Sequence, residues 1–213
     1  AGVMILSGDY PSEGTIITED NIALATKKAL KVFVEYPDQF GKIRAVAKDT
    51  LDLERIVVCD SLSSVLCPMD LLTFNKCVVN VYEQDAFGGS LDTLIVAAKV
   101  AGFNKAEYGL KDTPTKPVIL CDGNNFMIST TKLSQYAHYR YIPEFRIKSL
   151  VEYVISWLSV KCVVFDKWVS LVHPAYQKAE KLPSDARRNS IEKGIEWYYN
   201  GNFIVDKSWK ESW

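Results

Sequence analysis

Two periods of apolar spacing alternate along the first hundred residues. Thr15-Ile16-Ile17-Thr18 is a short β-branched run, and Thr18 or Asp20 can cap a helix that begins near Asn21. Ile22, Ala25, Ala29, Leu30 and Phe33 follow helical spacing, and Pro37 stops that pattern. Ile43 to Val46 and Arg55 to Cys59 read as strands. Asp60 and Ser61 then open an irregular stretch with some helical character through Leu72. Lys76 to Tyr82 is the clearest strand of this half. Leu91, Leu94, Ile95, Ala98 and Ala101 predict a helix from about Ser90 to Ala101, ended by Gly102. Strands alternating with amphipathic helices predict a mainly parallel sheet covered on both faces.

The second half changes character. Pro117 to Cys121 and Asn125 to Ser129 flank Asp122-Gly123-Asn124, a hairpin signal. The expected fold is therefore α/β: a three-layer, flavodoxin-like sandwich with a mainly parallel sheet and this hairpin at its edge. Residues 130–139 predict a helix capped by Ser129 or Thr130. Ile147, Leu150, Val151, Val154, Ile155 and Leu158 mark a strong amphipathic helix. Beyond about residue 174 a polar stretch between Pro174 and Ser190 reads as a linker. It leads to a helix with the stripe Ile191, Ile195 and Tyr198. The chain thus divides into an α/β domain over 1–174 and a linker with a helical interaction segment over 175–213. Trp197, Trp209 and Trp213 crowd that segment, which is too short to bury them itself. Its expected partner is the α/β domain, a second copy of the chain, or a further C-terminal domain.

Composition changes this picture little, and charge narrows the partners. Apolar residues are 48% and charged residues 24%, which supplies an ordinary globular core. A net charge of −1 and scattered lysines and arginines argue against nucleic-acid binding. No apolar run reaches the ~20 residues of a membrane helix. The apolar start, Ala1 to Leu6, is short and lacks a basic leader, so it does not read as a signal peptide.

Candidate chemistry is sparse. The five cysteines, Cys59, Cys67, Cys77, Cys121 and Cys162, contain no Cys-x-x-Cys pair. Four of them adjoin β-like runs and read as free buried thiols, with a disulfide or reactive thiol as the other reading. No metal or cofactor motif is present: Gly88-Gly89 is only part of a dinucleotide fingerprint, and Glu83 and Asp85 beside it would repel phosphate. Only two histidines exist, His138 and His173, and neither completes a nucleophile elbow at Cys121. No catalytic residue is assigned. A ligand site, if built, is expected at the carboxyl ends of the parallel strands, at Asp60, Ser61, Glu83, Asp85 and Gly88. The aromatic clusters Tyr136/Tyr139/Tyr141 and Trp197/Tyr198/Tyr199 suit a domain interface or, alternatively, sugar stacking.

The segment from Pro117 through Tyr136, followed by Arg140-Tyr-Ile-Pro143, resembles the last hairpin and helix of class I glutamine amidotransferase-like domains. Gly194-Ile-Glu-Trp-Tyr-Tyr and Asp206-Lys-Ser-Trp209 resemble the lead into a helical (α/α) toroid in bacterial polysaccharide-degrading proteins. The resemblance spans roughly residues 117–209. It implies an amidotransferase-like accessory domain, associated with glycoside hydrolases and without the amidotransferase site. The Gly-x-Cys-x-Gly elbow and the downstream His-x-Glu pair are both missing. It favours a periplasmic or exported protein, with a cytoplasmic one left open. The functional expectation is a non-catalytic accessory or binding domain of a carbohydrate-processing protein. The alternative is a hydrolase, glycosidase or amidotransferase-like, with its site at the carboxyl ends of the strands.

Overall fold

A seven-stranded mixed sheet forms the centre of the protein, and most of its neighbours are antiparallel. The computed structural model describes residues 1–72, 77–83, 86–87, 89–102, 104–133 and 144–166. The expected linker and helical segment over 175–213 therefore lie outside the described residues.

The chain begins with β1 (Gly2–Ile5), β2 (Thr15–Ile17) and helix α1 (Glu19–Lys27). Strands β3 (Lys31–Glu35), β4 (Pro37–Phe40), β5 (Ile43–Arg44), β6 (Ala47–Thr50) and β7 (Arg55–Val58) follow. Next come β8 (Leu71–Leu72), β9 (Val78–Val81), β10 (Asp92–Ala98), β11 (Thr115–Cys121), β12 (Phe126–Ser129) and α2 (Glu144–Ser159). The large sheet has the order β1-β3-β12-β11-β10-β7-β8. Only the pairs β1–β3 and β3–β12 are parallel. Two small sheets, β2-β4-β5 and β6-β9, complete the set.

This architecture overturns the three-layer α/β sandwich with a mainly parallel sheet. The misreading centres on residues 90–101. Leu91, Leu94, Ile95 and Ala98 do fall at helical spacing, but every residue from Leu94 to Ala98 is buried. A helix would turn Val96 and Ala97 toward the side opposite its apolar stripe. A strand covered on both faces buries the whole run, and Thr93, Ile95 and Val96 are β-branched. Residues 92–98 are accordingly a central strand between β11 and β7. The helix expected over 21–33 is shorter for a similar reason. It ends at Lys27, Ala29 reverses the chain at φ 48°, and Val32-Phe33-Val34 enter β3. The stretch before Leu72 holds turns and β8 rather than a helix, and residues 130–132 are not helical.

Other expectations hold. The strands at 15–17, 55–58 and 78–81 form, although β9 pairs with β6 outside the large sheet. Thr18 caps α1 in a reciprocal box with Asn21. The hairpin at Asp122-Gly123 is present, but it sits in the middle of the sheet, with β12 joined to β3. Helix α2 buries Ile147, Leu150, Val154 and Leu158 against Phe33, Ile56, Ile95 and Met127. On the other face, Ala25 of α1 and Ile17 and Phe40 of the first small sheet cover Val32, Val34, Phe126 and Ile128. Each such side chain, fully buried, contributes roughly 1.5–3 kcal/mol.

The central hairpin depends on one carboxylate. Asp122 Oδ1 accepts hydrogen bonds from the backbone N–H of Asn124 and Asn125 at 2.8 Å and of Phe126 at 2.9 Å. Gly123 supplies the positive φ of 74° that the turn requires. Replacing Asp122 by Ala removes the acceptor for three N–H groups at a hairpin flanked by two core strands. We expect a loss of about 2 kcal/mol in urea unfolding, with Asp122→Asn, which keeps an acceptor oxygen, near the parent.

Candidate functional site

The carboxyl ends of the parallel strands β1, β3 and β12 meet at one rim, where a ligand is expected in an open α/β sheet. Here that rim is closed by protein. Glu35, at the end of β3, is only 1% exposed, and its Oε2 accepts from the backbone N–H of Ser7 at 3.3 Å. The segment from Ser7 to Gly14 crosses the rim as a strap. Tyr10 Oη donates to the Val78 carbonyl at 3.0 Å and accepts from the Val78 N–H at 2.6 Å. Tyr36 is fully buried, packs edge-on against Tyr10 with centroids 4.8 Å apart, and donates to the Pro11 carbonyl at 3.2 Å. Lys48 donates to the Pro11 and Ser12 carbonyls and pairs with Asp38 at 3.4 Å. Burial, and then the nearby Asp38, raises the Tyr36 phenol well above its ordinary value, so it stays a neutral donor.

An open concavity lies elsewhere among the described residues. A cleft of about 530 Å³ runs beside β10 and β11 under the segment that follows β9. That volume suits a small ligand or one to two sugar rings by the usual range of ~300–1,000 Å³. Tyr82 and Phe87 line it with rings edge-on at 5.2 Å and 70°. Asn80, Glu83, Thr93 and Lys116 contribute polar side chains to its lining.

Each polar group has a local cause. Asn80 is held in β9 at 3% exposure, and its Nδ2 donates to the Pro37 carbonyl at 2.8 Å and to Asp38 Oδ1 at 3.1 Å. Its Oδ1 is buried and has no hydrogen-bond partner. Tyr82 Oη donates to the same Pro37 carbonyl at 2.5 Å. Burial raises the Tyr82 phenol far above its ordinary value, against a hydrogen bond with Asn80 that lowers it. Lys116 Nζ stands 2.6 Å from Asp49 Oδ2 and 3.1 Å from Glu54 Oε1. Glu83 is exposed, and its carboxylate makes no hydrogen bond or ion pair among the described residues.

The residues expected at the rim separate. Asp60 and Ser61 are exposed and adjoin each other, with the Ser61 N–H donating to Asp60 Oδ1 at 2.7 Å. They follow β7, which runs opposite to β10 and hence to β12, so they sit at the far end of the sheet from Glu35. Glu83 lines the cleft. Asp85 and Gly88 lie outside the described residues. Asn80, Tyr82, Phe87 and Lys116 carried no signal of their own. Of the acids expected in that segment, Glu83 lines the cleft.

Nucleophilic chemistry has little footing among the described residues. Burial pushes the Cys59 and Cys121 thiols above their ordinary value, which disfavours the reactive thiolate. All five cysteines are free. No group of three or more histidine, cysteine or acidic side chains could hold a metal among the described residues. No described helix is long and apolar enough to cross a membrane. His138 and His173 lie outside the described residues. Among known proteins, no family model, curated protein or solved structure matches this chain.

The Asp49–Lys116–Glu54 triad gives the cleft wall a pH signature. The Asp49 hydrogen bond, then Glu54, raise the Lys116 ammonium above its ordinary 10.5 against the pull of burial. Burial pushes the Glu54 carboxyl up, but hydrogen bonds from its backbone and from Lys116 outweigh it and hold it below the ordinary 4.5. A depressed carboxyl stabilises the fold above its unfolded value, and that contribution is lost as pH falls through the folded value. The stability lost in Lys116→Met should therefore be constant over about pH 6 to 9 and shrink below about 4.5. Urea unfolding at stepped pH reads it; an undiminished loss well below that range would show that the triad carries no pH-dependent stability.

Proposed function

We propose that this chain is a non-catalytic binding domain of a carbohydrate-processing protein, and that it holds a sugar unit in the cleft beside β10 and β11. The observation that carries this reading is the lining: two aromatic rings, Tyr82 and Phe87, among the polar side chains of Asn80, Glu83, Thr93 and Lys116. A sugar ring presents C–H groups on its faces and hydroxyls on its rim, so it needs apolar rings beside hydrogen-bonding groups. The closed rim supports the non-catalytic half of the reading. Glu35 lies under the strap, and the Tyr36 and Tyr82 hydroxyls already bond to backbone carbonyls. The proposal keeps the accessory role that the sequence resemblance implies and leaves aside its amidotransferase-like architecture.

A panel of short oligosaccharides, titrated into the protein by calorimetry and by amide chemical shifts, tests this. Shifts should cluster at residues 80–83, 86–87 and 93. Phe87→Ala should weaken binding by about tenfold, the upper range for losing one aromatic contact. Phe87 also packs on the core beside Phe126, so a cooperative melt of the variant must accompany the titration. Binding unchanged in a folded Phe87→Ala protein would remove the cleft from the reading. Turnover of a panel member, abolished by Glu83→Gln, would replace binding by catalysis.

A further inference from the structure

The strong donors on the cleft wall, Lys116, Asn80 and Tyr82, are largely engaged within the protein. Lys116 directs its ammonium to Asp49 and Glu54, at 2.6 and 3.1 Å. Asn80 Nδ2 is taken by Pro37 and Asp38, and Tyr82 Oη by Pro37. Among the described residues this leaves one N–H of the Lys116 ammonium and the threonine hydroxyls of the lining as donors. What remains includes two strong acceptors: the exposed Glu83 carboxylate and Asn80 Oδ1, which is buried without a donor. The local charge agrees with this. The Lys116 charge is offset by two carboxylates, Asp49 and Glu54, and Glu83 adds to the lining a carboxylate without an ion pair among the described residues.

From these features we infer that the cleft selects a sugar bearing a free amine, a 2-amino sugar protonated at neutral pH or below, and rejects acidic sugars. The ammonium supplies Glu83 with the donors and the opposite charge that it lacks among the described residues. A uronate or sulfated sugar would bring a further anion to an already negative wall, where like charges repel. The inference rests on the carbohydrate reading above and deepens it.

The test compares three oligomers of equal length at low salt and about pH 6, below the ~7.7 of an ordinary α-amino group. They are glucosamine with free amines, its N-acetylated form, and galacturonate; spermine serves as a cation that is not a sugar. We expect the free-amine oligomer to bind tightest, galacturonate weakest, and added salt to erode the difference. Glu83→Gln should cost the free-amine oligomer about threefold in affinity, the size of one exposed ion pair, and cost the N-acetylated oligomer less, so that the preference for the amine narrows. Glu83 is exposed, so this variant should melt like the parent. Galacturonate binding as tightly as the amine oligomer, or a preference for the amine that Glu83→Gln leaves intact, would overturn the amino-sugar inference and spare the carbohydrate reading. No binding of any oligomer, or binding of spermine alone, would overturn the carbohydrate reading itself.

Discussion

Strand β3 ends inside the protein, and the polar groups at its end must all find partners there. A buried backbone or carboxylate group left without a hydrogen bond costs on the order of 1–3 kcal/mol, and more when charged. Glu35, Tyr36 and Pro37 sit at this point, with Glu35 and Tyr36 almost fully buried. Their partners come from every part of the fold. The strap supplies the Ser7 N–H, β2 supplies the Thr15 hydroxyl and N–H, and β12 supplies the Ser129 carbonyl. Strand β9 and the residue after it send Asn80 and Tyr82 to the Pro37 carbonyl. All three sheets are therefore fastened at one polar joint, and the strap is the piece that closes it.

That joint decides where a ligand can go. In an open parallel sheet the strand ends leave loops and N–H groups facing a crevice. Here the large sheet has only β1, β3 and β12 running parallel, and their ends are covered by Tyr10, Tyr36 and the β6–β9 sheet. Pinning that small sheet to the strap and to Thr130 also sets its distance from β10 and β11. The gap left between them is the cleft. Satisfying the joint takes the amide of Asn80 and the hydroxyl of Tyr82, so these two donors of the cleft wall are already engaged.

Short-range signals in the sequence were legible, and long-range ones were not. Asp122-Gly123 announces its turn because the carboxylate and the glycine act within four residues. Thr18 and Asn21 announce the start of α1 for the same reason, and α2 shows its stripe because it has one buried face. Spacing alone does not separate a helix from a doubly covered strand in Leu91 to Ala101, since both bury Leu94, Ile95 and Ala98; the difference lies in Val96 and Ala97, which only a sheet covered on both faces buries as well. That one misreading removed a strand from the sheet and supplied a crossover helix, and a parallel topology followed from it. The direction of β7 was lost with it, and so was the end of the sheet on which Asp60 and Ser61 lie.

The same logic explains the partial legibility of the cleft. Glu83 could be chosen because it follows a clear strand, but its neighbours in space come from β10 and β11, across a turn and a hairpin strand. Lys116 is 62 residues from Glu54, and neither side chain stands out until the fold pairs them. A lysine in a cleft reads in isolation as an anion site, which would suggest a phosphate or an acidic sugar. Paired at 2.6 and 3.1 Å with two carboxylates it offers no free charge, and the sign of the wall reverses. The character of this surface is thus a property of contacts between distant segments, and it follows from the geometry that the buried end of β3 imposes.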